Sequence, residues 1–122
     1  MALDDAASLR RRLREALPAA LKARDRAAVA ALRSALAAIE NASAVDAGSA
    51  PGLAIEESPV GAGATEVERR QLTDSDVREI LLAEIGDRLG AAETYEGAGR
   101  HDRAERLRAE ADLLVAYLQS GT

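Results

Sequence analysis

His101 is the only histidine in the sequence and the first place where this chain could do chemistry. The chain has no cysteine, so a Cys–His pair is excluded, and a Ser–His–Asp triad would depend on His101 beside Asp102. The glycines at 97 and 99 predict an exposed corner between two helices, where a histidine is typically a loop residue near a helix cap. The sequence therefore predicts no catalytic residue and favours a protein that is not an enzyme.

Motifs for cofactors and metals are also missing. The segment GAGAT at 61–65 lacks the strand, the helix and the further glycine of a dinucleotide-binding motif, and no GxxxxGK sequence is present. Metal-binding helices often carry a Glu-x-x-His pair, which this chain does not have. We expect no cofactor and no metal.

Basic residues are concentrated in the first third of the chain. Residues 10–33 hold eight basic and two acidic residues, whereas residues 34–122 hold eight basic and seventeen acidic ones. The run RRRLR at 10–14 would suit contacts to phosphate, but it could equally pair with acidic helices of the same domain or remain solvated. The candidate contacts to RNA or to another partner are Arg10, Arg11, Arg14, Arg24, Arg33, Arg100 and Arg103.

The kind of partner is limited by the shortage of aromatic residues. Proteins that read single-stranded RNA stack bases on aromatic rings, and this chain has only Tyr95 and Tyr117. Any contact to RNA is therefore expected to be electrostatic and based on shape, and DNA is not expected. No apolar run approaches the ~20 residues that cross a bilayer, and the N-terminus lacks a signal-peptide block, so we expect a cytoplasmic protein that does not bind membranes.

The elements that position these residues are predicted to be helices of one domain, residues 1–122. Alanine and leucine dominate and phenylalanine and tryptophan are absent, which favours an all-α fold over a β-sandwich. Leucines at every fourth position up to Leu21 predict a first helix over 5–23, with a kink or break near Pro18. Asp25 is the predicted N-cap of a second helix, which fades around 41–43.

The second half of the chain begins with a long Gly/Pro-rich segment, residues 44–71, which we predict to be a flexible loop. Thr73 and Asp76 then form the pattern of a capping box at the start of a third helix. Its predicted buried stripe contains Val77, Leu81, Ile85, Leu89 and Ala92. Two further residues, Gly86 and Gly90, either admit a close neighbouring helix or occupy a tolerant surface.

A fourth helix is predicted to follow after a tight turn. Gly97 or Gly99 can take the left-handed conformation that ends a helix, and Asp102 with Glu105 would form a second capping box. Its predicted inner stripe contains Ala104, Leu107, Ala111, Leu114 and Leu118. The connection is so short that the third and fourth helices must form an antiparallel hairpin, which completes a four-helix domain.

Three segments together resemble the YqeY-like family: ALKARDRAAVAALRSALAAIENA, LTDSDVREILLAEI and YEGAGRHDRAERLRAEADLLVAYL. The resemblance extends over residues 9–42 and 72–118. That family is similar to the C-terminal region of the GatB subunit of the tRNA-dependent amidotransferase. The residues that match its motifs, each expected to act as a cap, turn or packing residue, are Asn41, Thr73, Asp74, Gly99, Asp102, Glu110 and Tyr117.

The resemblance implies a non-catalytic helical module, accessory to tRNA-dependent amidotransferase or to other translation machinery. The family usually continues past Tyr117–Leu118 with a second small helical domain, whereas this sequence ends in YLQSGT. We therefore expect it to represent the N-terminal helical half of the family alone. The alternative interpretation is a protein–protein interaction module unrelated to RNA.

Overall fold

The computed structural model describes residues 5–47 and 71–120 of the chain. These residues form four helices and no strand, which confirms the all-α, four-helix prediction. The helices are α1 (Asp5–Ala23), α2 (Arg26–Ala47), α3 (Asp74–Gly97) and α4 (His101–Ser120).

Helix α1 has the predicted bounds and continues through the exposed Pro18 without the break that was one of the two outcomes predicted there. Another detail of the prediction is wrong. The predicted row of buried leucines in α1 is found only in its first part, since Leu9 and Leu13 are buried whereas Leu21 is 46% exposed. Asp25 caps α2 as predicted: its carboxylate accepts a hydrogen bond of 3.1 Å from the backbone N–H of Ala28.

Helix α2 is longer than its sequence suggested. It continues past Ser43 to Ala47, so the first residues of the predicted loop 44–71 are helical. The segment ASAVDA after Asn41 contains no glycine or proline, and its alanines favour a helix up to the glycine at 48. The prediction of a flexible loop falls mainly on residues 48–70, which lie outside the described residues.

Helix α3 begins with the predicted capping box. The hydroxyl of Thr73 accepts from the N–H of Asp76 at 3.1 Å, and the Asp76 carboxylate accepts from the N–H of Thr73 at 2.9 Å. Its buried residues are Val77, Leu81, Ile85 and Ala92. The predicted burial of Leu89 is wrong, because that side chain is 45% exposed.

The turn between α3 and α4 confirms the antiparallel hairpin. Gly99 has φ +79°, and its N–H donates to the carbonyl of Glu96 at 3.0 Å while the N–H of Arg100 donates to Tyr95 at 2.8 Å. These two bonds are those of a Schellman motif. The predicted second capping box is wrong, because α4 already begins at His101 and Asp102 therefore lies within its first turn.

The core consists of leucine, isoleucine, valine and alanine side chains from all four helices. Leu13, Leu32, Leu81 and Leu114 are almost completely buried, and seven buried alanines supply small side chains that allow helices to pack closely. Gly86 and Gly90 are not part of this packing, since a Cβ atom at either position would meet nothing within 4 Å. The tolerant-surface interpretation of these two glycines is therefore correct.

Candidate binding surface

One open, cationic surface lies where α1 ends and α2 begins. An open groove of about 510 Å³ is formed there by six residues, which we call the corner groove: Leu21, Arg24, Arg26, Val29, Ala30 and Arg33. The four α2 residues are spaced at i, i+3, i+4 and i+7, so they lie on one side of the helix. Three guanidinium groups thus surround a small apolar floor.

Arg24 holds an unusual backbone conformation in this groove. Its φ is +59°, in the left-handed region that only glycine enters without cost, and an arginine there carries roughly 1–2 kcal/mol of strain. Its N–H donates to Leu21 at 3.1 Å, and the N–H of Asp25 donates to Ala20 at 3.1 Å. The turn is therefore a second Schellman motif, with arginine in the place where glycine is usual.

The arginines of the corner groove have no partner within the described part of the chain. Arg24, Arg26 and Arg33 are exposed, and none of their side chains makes a hydrogen bond or an ion pair with another described residue. Leu21 is 46% exposed beside them. Three free cations around exposed aliphatic carbon can bind a phosphate group, or a carboxylate carried on an apolar segment.

The predicted contacts on α1 divide into free and paired residues. Arg11 and Arg14 are exposed and form no ion pair with another described residue. Arg10 instead forms an ion pair of 3.0 Å with Glu40, and its side chain is only 26% exposed. This arginine therefore joins α1 to α2, and its contact with a partner stays a prediction.

The predicted contacts on the other hairpin lie over an aromatic ring. The guanidinium carbons of Arg100 and Arg103 are 5.8 and 5.3 Å from the centre of the Tyr95 ring, a distance typical of cation–π contacts. Arg12 lies over Tyr117 in the same way, at 5.9 Å. Both tyrosine rings of the chain are therefore partly covered by cations.

His101 lies at the same turn and contacts a carboxylate. Its Nδ1 is 2.5 Å from Glu96, which also accepts a hydrogen bond of 3.2 Å from Arg108. These two contacts hold the pKa of Glu96 below its usual value, with the His101 hydrogen bond as the larger cause. The histidine is thus part of an exposed ionic contact between α3 and α4.

A partly buried polar cluster connects α2, α3 and α4. Arg88 donates 2.8 Å hydrogen bonds to Glu84 and to Glu110, and Ser34 donates to Glu84 at 2.6 Å. Burial disfavours the charged form of Arg88, but the two carboxylates outweigh it and raise the arginine pKa. The side chains of Arg88 and Glu110 are only 12% and 8% exposed. Because each polar group of the cluster has a hydrogen-bond partner on another element or turn, the cluster links α2, α3 and α4.

Most of the residues that match the family motif lie at helix caps, turns or packing contacts. Thr73 caps α3, Gly99 forms the turn, Glu110 lies in the buried cluster and Tyr117 lies beneath Arg12. Asn41 is exposed on α2. Two remaining members lie in the first turns of α3 and α4, namely Asp74 and Asp102.

Sequence reasoning missed Arg26 as a member of the corner groove. Its spacing of seven residues from Arg33 places the two on one side of α2, and that spacing was visible in the sequence. Across residues 5–47 and 71–120, no group of three His, Asp or Glu side chains could hold a metal ion. None of the described helices is both long and apolar enough to cross a membrane.

Comparison with known proteins gives one match. The model of a family described as Yqey-like protein matches residues 53–120, which is more than half of the chain and includes the whole α3–α4 hairpin. No curated protein and no solved structure matches the sequence. The capping box of α3, the glycine turn and the buried Glu110 lie inside the matched region, and the chain belongs to the YqeY-like family.

Proposed function

We propose that this domain is a non-catalytic binding module, accessory to tRNA-dependent amidotransferase or to other translation machinery, and that it binds an anionic partner. The observation that carries the proposal is the left-handed Arg24 in the corner groove. Strained backbone persists where the surrounding structure maintains it, and such positions cluster at binding sites. An arginine kept where glycine would be relaxed supports a role for its side chain.

The phosphate backbone of tRNA is the partner that we propose for this surface. Arg24, Arg26 and Arg33 line the groove, and the exposed Arg11 and Arg14 extend the cationic surface along α1. Phosphate contacts of this kind release counterions and carry little sequence information. The covered tyrosine rings favour backbone contact over base stacking.

A filter-binding titration of the full chain with tRNA at two salt concentrations tests the proposal. We expect the affinity to fall steeply as salt rises. Arg33→Glu should weaken binding and reduce the logarithmic salt slope by roughly one, since one phosphate contact is lost. Arg106→Glu is the matched control, because Arg106 is an exposed arginine of α4 outside the groove, and it should leave the affinity nearly unchanged.

A module for protein partners unrelated to RNA is the second candidate. It is favoured by the 46% exposure of Leu21 among the arginines, since a phosphate backbone offers little to an exposed leucine. This candidate predicts no detectable tRNA binding at physiological salt and no effect of Arg33→Glu on the titration. Those two results together would overturn the RNA proposal.

A further inference from the structure

The outer side of α3 carries an exposed apolar stripe that the fold does not use. Its five residues follow steps of three and four, so they lie in a line along one side of the helix, and we call them the leucine stripe: Glu79, Leu82, Gly86, Leu89 and Glu93. Leu82 is 57% and Leu89 is 45% exposed. Each end of the line is acidic and its centre is apolar.

Nothing in the described part of the chain covers this stripe. The side chains of Glu79 and Glu93 make no hydrogen bond or ion pair with another described residue. A Cβ atom at Gly86 would meet nothing within 4 Å, so the backbone between the two leucines is open to close approach. The stripe therefore presents an acidic, amphipathic helix face to an outside partner.

The corner groove has the complementary character. Among the described residues the large hydrophobic side chains that are exposed are Leu21, Leu82 and Leu89. Leu21 lies among arginines without partners, whereas the other two lie between glutamates without partners. We propose that the leucine stripe of one copy of this chain docks in the corner groove of a second copy. The proposal depends on the groove but not on tRNA binding.

The charges also determine the symmetry of the contact. Two leucine stripes facing each other would bring Glu79 and Glu93 against glutamates, and two grooves would bring arginines together, which is unfavourable. Stripe-to-groove contact instead pairs opposite charges around apolar centres. Such a contact is heterologous, so it leaves one free stripe and one free groove on every dimer and extends into longer assemblies or a ring.

Sedimentation equilibrium of the full chain over a wide concentration range tests this arrangement with two complementary variants. The groove variant is Arg26→Glu with Arg33→Glu, and the stripe variant is Leu82→Gln with Leu89→Gln. All four residues are exposed, so both proteins should fold, as a thermal melt followed by circular dichroism would verify. We expect the wild type to associate at low salt and each variant alone to be monomeric.

Mixing the two variants gives the decisive result. The groove variant keeps an intact stripe and the stripe variant keeps an intact groove, so an equimolar mixture should form a dimer that cannot extend. A monomeric wild type, association of the stripe variant alone, or a mixture that stays monomeric would each overturn the proposal. Ala116→Gln and Arg106→Glu, exposed changes outside both surfaces, are the controls and should associate like wild type.

The same variants separate this inference from the proposed function. The stripe variant should lose self-association and bind tRNA at least as tightly as wild type, because its arginines are intact and no stripe competes for the groove. If tRNA binding is absent while wild type still associates, the proposed function fails alone. Single changes, Arg33→Glu and Leu82→Gln, provide the same comparison should a double variant unfold.

Discussion

The two helical hairpins of this domain turn through the same hydrogen bonds with different residues. In each turn the last helical carbonyls accept the two bonds of a Schellman motif, and the next helix starts at once. The left-handed residue is Gly99 in the α3–α4 turn and Arg24 in the α1–α2 turn. One turn is relaxed and the other strained, so the α1–α2 turn carries an arginine at a cost in stability.

The two turns also differ in whether their cationic side chains have partners within the molecule. Arg100 and Arg103 lie over the ring of Tyr95, and His101 contacts Glu96, so the cations of the α3–α4 turn have partners inside the molecule. Those of the corner groove have none among the described residues. We therefore propose that the α3–α4 turn serves mainly stability and the corner groove binding, while the outer side of α3 keeps the leucine stripe as a second contact surface.

The largest expected effect comes from truncating the interior of the α3–α4 hairpin. Leu114 is completely buried, so Leu114→Ala should lower the free energy of unfolding by about 2–5 kcal/mol. In the corner groove, Leu21→Ala should change it by less than about 0.5 kcal/mol. Urea unfolding of both variants tests this, and equal losses would contradict the division of roles between the hairpins.

Breaking the partly buried polar cluster should cause the next largest loss in the free energy of unfolding. Glu110→Ala leaves Arg88 with one carboxylate instead of two in a side-chain environment only 12% exposed, and should cost about 2–3 kcal/mol. Glu105→Ala, on the exposed side of α4, is the matched control and should cost less than about 0.5 kcal/mol. A wild-type melt for Glu110→Ala would show that the cluster does not hold the hairpin.

Substitutions at the two left-handed residues, Gly99→Ala and Arg24→Gly, should change the free energy of unfolding in opposite directions. Gly99→Ala meets no steric obstacle, but it places a Cβ atom in the left-handed region and should destabilise the domain by about 1 kcal/mol. Arg24→Gly relieves the corresponding strain and should stabilise it by up to about 1 kcal/mol, while weakening tRNA binding. Chemical unfolding combined with filter binding measures both; a destabilised Arg24→Gly would contradict the strain argument.

The smallest effect concerns pH at the α3–α4 turn. The lowered pKa of Glu96 means that its ionised form is stabilised in the folded state, chiefly by His101 and then by Arg108. That contribution is present above the ordinary glutamate pKa of ~4.3 and is lost as the pH falls through the lowered value. Glu96→Gln should therefore melt slightly below wild type at pH 7, and the difference should vanish towards pH 3.

Much of the fold could be predicted because local signals and tertiary packing agree. The capping box at Thr73, the Asp25 cap and the glycine at 99 each satisfy backbone groups within a few residues, so their effect is visible in sequence alone. The cap predicted at Asp102 failed because the Arg100 carbonyl already accepts the first bond of α4, from Ala104. Two helix starts were possible there, and the turn selected the earlier one.

The wrong burial of Leu21 and Leu89 has one common cause. A spacing of four residues exceeds the 3.6 residues of a helical turn, so a stripe built from such steps rotates by about 40° at each step. In α3 the side that faces the core continues from Ile85 to Arg88 and then to Ala92. Leu89, four positions after Ile85, therefore faces outward. The corner groove was less predictable still, because it depends on how two helices meet and on the conformation of Arg24.

The polar cluster around Arg88 also influences which alignment of the helices the chain adopts. A core of alanine and leucine offers similar contacts when one helix slides past another by a turn, about 5.4 Å along its axis. Arg88 reaches Glu84 on its own helix and Glu110 on α4, and Glu84 in turn meets Ser34 on α2. In any slipped alignment the guanidinium would lose Glu110 while it remains largely shielded from water, which should cost about 2–3 kcal/mol, as for Glu110→Ala. We expect this one side chain to select a single alignment of α2, α3 and α4 among several that the apolar residues alone would accept.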